Sequence, residues 1–228
     1  MNAEAGRVAA LLDAQRRAAA LFQRVGESLI RPGITESQLT RDIAELGRRE
    51  FGIERNWHKR IVRAGPNTLA PYDDNPPDLL IGEDDILFLD LGPVFEAWEA
   101  DFGRTYVLGA DPRKLKLRDD VAAAFADGKR YWQEHPGVTG SELFRYVESL
   151  AARYGWQFGG SIAAHLIGEF PHKALPQDPL ARYADAGNHA PMRGLDALGR
   201  ERHWILEIHF VDRAAGIGGF HEELLSIG

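Results

Sequence analysis

Two pairs of acidic residues occupy strand-like parts of the sequence, where carboxylates are unusual. Asp90 closes the apolar run ILFL, and eleven residues later Asp101 opens a second apolar run, FGRTYVL. Glu207 lies within HWILEIHF and Glu222 near the start of FHEELLSI, on either side of the turn-rich DRAAGIGG. Buried carboxylates that face each other cost free energy unless a counter-charge is present. The two pairs therefore predict a bound divalent cation, or two.

The spacing also predicts which residues face each other. Residue numbers that pair across a hairpin ladder add to a constant, so a turn at 95–96 places Asp90 opposite Asp101. By the same rule, Glu207 lies opposite Glu222. We therefore expect two hairpins, each with one acidic residue on each strand.

Histidines lie between the two hairpins. The segment SIAAHLIGEFPHK contains His165 and His172. A histidine beside apolar residues is more often structural than a ligand, but four carboxylates are already expected nearby. Four carboxylates and one imidazole would form an oxygen-rich site that suits Mn, Fe, Co or Zn.

The elements that must position these residues recur along the chain. Helical spacing over 5–30 and a capping box at Thr35 predict two helices before the first hairpin. The segment PGITESQLTRDIAELGRRE, from Pro32, is similar to PGVTGSELFRYVESLAARY, from Pro136. A common Pro-Gly turn before a capped helix is one explanation, and a duplicated half-domain is the one that we favour. We expect a single α+β domain over 1–228.

Composition limits the classes of function. The chain has 228 residues and a net charge of −7, without a dense basic cluster, so a nucleic-acid partner is not expected. It has no cysteine, which excludes disulfides and thiol catalysis. Neither a signal peptide nor an apolar run of roughly 18 residues is present, so we expect no membrane partner and a cytoplasmic protein.

The five residues, in this order, resemble the pita-bread metallopeptidases: methionine aminopeptidase, aminopeptidase P and prolidase. The matching segments are LDLG with ADFGRTYVLGADP, then AAHLIGEFPH, ILEIHF and GFHEELL. The resemblance implies a pita-bread fold with two pseudo-symmetric halves, approximately 8–112 and 113–228, around a curved antiparallel sheet. It also implies two divalent metal ions (Mn, Co, Fe or Zn), whose ligands would be Asp90, Asp101, His165, Glu207 and Glu222.

The resemblance further implies hydrolysis of an amide bond near a peptide N-terminus. Glu207 would move the proton to the leaving nitrogen, and His172 would contact the substrate or the oxyanion. A separate N-terminal domain, which many proline-specific members have, is not expected. The substrate would be a peptide or a small amide, and the sequence leaves a monomer and a homodimer open.

Three departures from the family pattern concern the substrate. Ile208-His209 follows the first glutamate in place of Pro-Gly, His221 precedes the second, and Pro71-Tyr72 stands where a loop histidine is usual. We expect His58, His209 and His221 to line an altered pocket, with His58 substituting for the loop histidine, and activity on Xaa-Pro peptides to be weak. A non-peptidase hydrolase of the creatinase type stays open. A non-catalytic binding protein is disfavoured, since no ligand is lost.

Overall fold

The computed structural model describes residues 3–174 and 182–228, with helices and strands from both halves of the chain. The helices are α1 (Ala3–Ser28), α2 (Glu36–Phe51), α3 (Pro112–Glu134) and α4 (Gly140–Tyr154), and short 3₁₀ turns span Gly65–Leu69 and His172–Ala174. The strands are β1 (Ile61–Ala64), β2 (Ile86–Leu91), β3 (Val94–Phe95), β4 (Trp98–Glu99), β5 (Phe102–Val107), β6 (Gln157–Phe158), β7 (Ala164–Ile167), β8 (Tyr183–Ala184), β9 (His203–Asp212) and β10 (Ile217–Leu224). The expected α+β class is confirmed.

The two similar segments each begin a helix with a threonine cap. Thr35 accepts a hydrogen bond from the backbone N–H of Gln38 before α2, and Thr139 accepts one from Glu142 before α4. The reciprocal bond of a full capping box forms only in the second copy, where the Glu142 side chain accepts from the backbone of Thr139. The Gln38 side chain instead donates to Asp42, so the capping box expected at Thr35 is only half formed.

The strands of both halves share one sheet. Within the described residues its order is β1-β2-β5-β10-β9-β7-β8, with β6 also paired to β9. The β2–β5 hairpin of the first half therefore meets the β9–β10 hairpin of the second half along the β5–β10 contact. Helices α1 and α2 contact the first hairpin's side of the sheet, and α3 and α4 contact the second. Each half has its own cluster of buried apolar residues.

The register corrects one expectation. Glu207 pairs with Glu222, as predicted, but Asp90 pairs with Gly103 and not with Asp101. The turn falls one residue later than expected, at 96–97, because Glu96 adopts a left-handed conformation with φ 58°. The prediction that Asp90 and Asp101 face each other is therefore wrong by two residues, and Asp101 lies just before β5.

A consequence of this register is a row of carboxylates across the middle of the sheet. Asp90, Gly103, Glu222 and Glu207 are successive partners across β2, β5, β10 and β9. Partners across a ladder point to the same face, so the three acidic side chains share a face. A Cβ at Gly103 would lie 2.5 Å from the ring of Phe220 and 2.9 Å from Cβ of Glu222. Glycine at this position therefore makes room for the row.

Among the helices of the described residues, none is both long enough and apolar enough to cross a membrane.

Candidate metal centre

A cavity of about 420 Å³ lies over the carboxylate row. Nearly all of the side chains singled out in the sequence line it: Asp90, Asp101, His165, Glu207 and Glu222, together with His58, His172 and His209. The structure thus gathers into one cavity residues from both halves of the chain.

Asp101 is the centre of the contacts among these side chains. Its Oδ1 lies 3.1 Å from Nε2 of His58, and its Oδ2 lies 3.1 Å from Nε2 of His165. Nε2 of His165 is also 3.3 Å from Oε1 of Glu222, and Nε2 of His58 is 3.5 Å from Oδ1 of Asp90. Two three-residue groups therefore share Asp101, and the ligand atoms within each group lie close enough together to hold an ion.

Both histidines are oriented by a backbone carbonyl. Nδ1 of His165 lies 2.9 Å from the carbonyl oxygen of Leu166, and Nδ1 of His58 lies 2.7 Å from that of Lys59. A carbonyl oxygen can only accept a hydrogen bond, so in both rings Nδ1–H is the donor. In both rings, Nε2 is the atom that faces the carboxylates.

The acidic side chains and the two histidines of the site act on each other. Against the effect of burial, the neighbouring carboxylates raise the pKa of His58 to about 9 and that of His165 well above its usual value. Burial raises the pKa of Asp90 to about 7, that of Glu207 to about 8 and that of Glu222 well above its usual value. Burial also acts on Asp101, but His58 and His165 outweigh it and hold the Asp101 pKa well below its usual value. Without a bound cation, burial and the neighbouring carboxylates therefore favour the protonated forms of Asp90, Glu207 and Glu222.

The donor atoms fit a divalent metal. Oδ1 of Asp90 and Oε2 of Glu222 are buried oxygen atoms without a hydrogen-bond partner. Such atoms are costly unless something satisfies them. Carboxylate oxygens and imidazole nitrogens together suit Mn, Fe, Co or Zn. A divalent cation would supply positive charge beside the carboxylates and a partner for these two oxygen atoms.

His172 lies in the same cavity but is held by a residue that the sequence analysis missed. Glu99 accepts a hydrogen bond from the backbone N–H of His172 at 3.1 Å, and its other carboxylate oxygen contacts Nδ1 of the ring. Trp57 packs edge-on against the same ring, with 5.2 Å between ring centroids. In the sequence, Glu99 is an acidic residue two positions before Asp101, in the segment that folds as β4. That position was the signal that could have identified it.

His209 and His221, the other two histidines expected in the pocket, have different environments. His209 lines the cavity, and its Nε2 donates to the carbonyl oxygen of Thr68 at 2.9 Å. Burial lowers its pKa to about 4, so it is neutral at physiological pH. His221 does not line the cavity: it packs against Phe125 of α3, with 4.9 Å between ring centroids. Alternation along β10 puts His221 on the face opposite to Glu222, which corrects the expectation that it lines the pocket.

The sequence of this chain is similar to that of known metallopeptidases. The sequence model of metallopeptidase family M24 matches residues 9–193. A curated Xaa-Pro dipeptidase from Pyrococcus horikoshii is 27% identical over 138 residues, which cover 59% of this chain and 38% of that protein.

Solved structures match the fold over nearly the whole chain. A prolidase from Thermococcus sibiricus has a TM-score of 0.77 at 20% identity, covering 98% of this chain and 56% of that one. A dipeptidase from Mycobacterium ulcerans has a TM-score of 0.70 at 26% identity, covering 97% and 55%. The expected pita-bread fold is confirmed. The chain spans about two fifths of the curated relative and somewhat more than half of these solved chains.

Proposed function

The chain belongs to metallopeptidase family M24, and on that premise we propose that it is a dinuclear-metal-dependent peptidase. It hydrolyses an amide bond near the N-terminus of a short peptide. One observation above all supports the proposal: the four carboxylates and His165 converge on one cavity although they come from five separate segments of the chain. A protein that only bound peptides would have no need to gather so many buried carboxylates, because they destabilise the metal-free fold.

Asp90, Asp101, His165, Glu207 and Glu222 would hold the ions. Two divalent ions bound there would polarise the scissile carbonyl and lower the pKa of a water molecule. That the ions are Mn, Co, Fe or Zn, and that the protein is cytoplasmic, stay predictions from the sequence.

We assign proton transfer to Glu207 and stabilisation of the developing negative charge to His172. Glu207 accepts the proton of the attacking water on a carboxylate oxygen and delivers it to the leaving nitrogen. His172, with Nδ1 engaged by Glu99, presents Nε2 to the substrate and donates to the developing oxyanion. Trp57 packs against both His165 and His172 and thereby limits the movement of the two rings.

The cavity suggests short substrates with no strict requirement for proline. Its volume of about 420 Å³ is near the lower end of the usual range for small-ligand sites, which suits a peptide of a few residues. The similar proteins include Xaa-Pro dipeptidases, but Tyr72 lies where the family usually has a histidine, and His209 forms part of the wall. These differences would alter the pocket that accommodates proline.

A substrate panel tests this function. The metal-loaded chain is assayed with short peptides that have, or lack, proline at the second position, and with small non-peptide amides. We expect turnover of non-proline peptides, weak turnover of Xaa-Pro peptides, and loss of both in Glu207→Gln. A kcat/KM on Xaa-Pro substrates of about 10⁴ M⁻¹s⁻¹ or more would show that the chain is an ordinary proline peptidase. Turnover of the non-peptide amides alone would overturn the peptidase assignment.

A further inference from the structure

We propose that His58 is a sixth metal ligand, which binds through Nε2 the ion that Asp90 and Asp101 hold. The family pattern accounts for five ligands in this chain, and His58 is not one of them. From the sequence, His58 is predicted to contact the substrate instead. The inference rests on the proposed dinuclear site and adds to it a nitrogen donor on the side away from His165.

The position of the ring favours a ligand over a substrate contact. Nε2 of His58 lies 3.1 Å from Oδ1 of Asp101 and 3.5 Å from Oδ1 of Asp90. Nδ1–H is already used, because it donates to the carbonyl oxygen of Lys59. Nε2 is therefore the ring nitrogen that faces the two carboxylates, where it can bind an ion together with them.

His165 provides an internal comparison, because its surroundings have the same design. Each ring donates from Nδ1 to the carbonyl of the following residue and turns Nε2 towards one oxygen of Asp101. A hydrogen bond from the opposite ring nitrogen is the usual means of fixing a ligating histidine. Asp101 thus has a histidine on each of its two oxygens. The Oδ1 of Asp90, which has no hydrogen-bond partner, completes the group around His58.

The chain is built to hold His58 in place. The backbone N–H of Trp57 donates to the carbonyl oxygen of Gly92 at 2.9 Å, and the Trp57 indole donates to the carbonyl of Ala100 at 3.0 Å. A Cβ at Gly92 would lie 2.2 Å from Cδ2 of His58 and 2.5 Å from the Trp57 indole nitrogen. The strand end that follows Asp90 therefore leaves room for this ring, which is only 5% exposed.

The chemical consequence is a preference among metals. Imidazole suits Zn and Fe, whereas sites with only oxygen donors suit Mn and Mg. A second imidazole moves the ion held by Asp90 and Asp101 towards Zn²⁺, Co²⁺ or Fe²⁺ and away from Mn²⁺. His58→Gln should therefore weaken Zn²⁺ binding more than Mn²⁺ binding.

Calorimetric titration of the full chain with Zn²⁺ and Mn²⁺ tests this. For His58→Gln we expect one of two sites to bind Zn²⁺ about 100-fold more weakly, and Mn²⁺ only about 10-fold more weakly. His172→Gln, in the same cavity, is the matched control and should leave both affinities unchanged. An unchanged Zn²⁺ affinity in His58→Gln overturns the proposal. So does an equal or larger loss for Mn²⁺, or an equal loss of Zn²⁺ binding in the control.

A measurement on the unaltered chain avoids any effect of the substitution on folding. In ¹⁵N-histidine-labelled protein, Zn²⁺ should shift the Nε2 resonances of two histidines, and both should keep a protonated Nδ1. A shift of only one Nε2 resonance overturns the inference and leaves the proposed peptidase intact. Two shifted resonances without any peptide turnover would leave the inference intact and overturn the peptidase. The absence of Zn²⁺ binding would overturn both.

Discussion

Glu99 holds His172 at two points: it accepts a hydrogen bond from the backbone N–H at 3.1 Å and contacts Nδ1 of the ring with its second oxygen. The carboxylate is 1% exposed. Because the contact includes the backbone as well as the ring, it fixes both the position of the 3₁₀ turn at His172–Ala174 and the orientation of the imidazole. The histidine is therefore placed before any substrate arrives.

Replacing His172 tests its separation from the metal. In His172→Ala we expect kcat to fall roughly 10²–10³-fold, which is typical for the loss of one transition-state donor. Metal content should stay at the wild-type value, because neither of the three-residue groups around Asp101 includes His172. Elemental analysis and steady-state kinetics on the same preparation give the two numbers. A parallel fall in metal content would make His172 a ligand.

Replacing Glu99 tests the orientation of His172. Glu99→Gln keeps the size of the side chain and an oxygen acceptor but removes the negative charge beside Nδ1. We expect kcat to fall less than in His172→Ala, by about 10-fold, while KM and metal content change little. The double variant should be no slower than His172→Ala alone, because Glu99 acts through the histidine. Additive losses would contradict this positioning role.

The glycine in the carboxylate row should be irreplaceable. In Gly103→Ala the new Cβ meets the Phe220 ring and the Cβ of Glu222, both well inside contact distance. We expect a loss of about 1–3 kcal/mol in the free energy of unfolding and weaker metal binding, because Glu222 must move. Gly137→Ala is the control: no atom lies within 4 Å of its Cβ, and stability should hardly change. Chemical denaturation and metal titration of both variants would show the contrast.

Two carboxylates of the site should affect the metal-free protein in opposite ways. Asp101 is paired with both His58 and His165, so Asp101→Asn removes the nearest charged partner of two buried imidazoles and leaves them the longer contacts to Asp90 and Glu222. A buried pair broken in this way typically costs about 3–5 kcal/mol. Glu207 instead lies directly across from Glu222, and Glu207→Gln removes an acidic group whose charged form is disfavoured in this buried site. We expect chelator-treated Asp101→Asn to unfold at lower denaturant concentration than wild type, and Glu207→Gln at the same concentration or higher.

The sequence predicts the second hairpin better than the first, for a physical reason. Glu207 and Glu222 flank an ordinary turn, and their pairing follows from simple counting. In the first hairpin, Glu96 takes a left-handed conformation that glycine or asparagine usually adopts, and no local signal announces it. The five predicted ligands could nevertheless be chosen from the sequence, because their order along the chain does not depend on the register.

What the sequence did not predict depends on contacts between distant segments. The ligand role that we propose for His58 could not be predicted, because nothing in NWHKRIV shows that Gly92 leaves space for its ring. His221 was placed in the pocket because its neighbour Glu222 lies there, although alternation along a strand turns adjacent side chains to opposite faces. Glu99 is one acidic residue among many until the fold buries it beside His172.

The two groups around Asp101 differ in what they connect. His58, Asp90 and Asp101 all come from the first half, whereas the second group adds His165 and Glu222 from the other half. An ion in the first group closes a short loop inside one half. An ion in the second group would cross-link the two halves. It would lower the conformational entropy of the unfolded chain by more, because the loop that it closes is longer. Gradual removal of metal by a chelator should therefore proceed in two steps, one for each ion. Only the loss of the ion in the second group should weaken the contact between the two halves of the sheet.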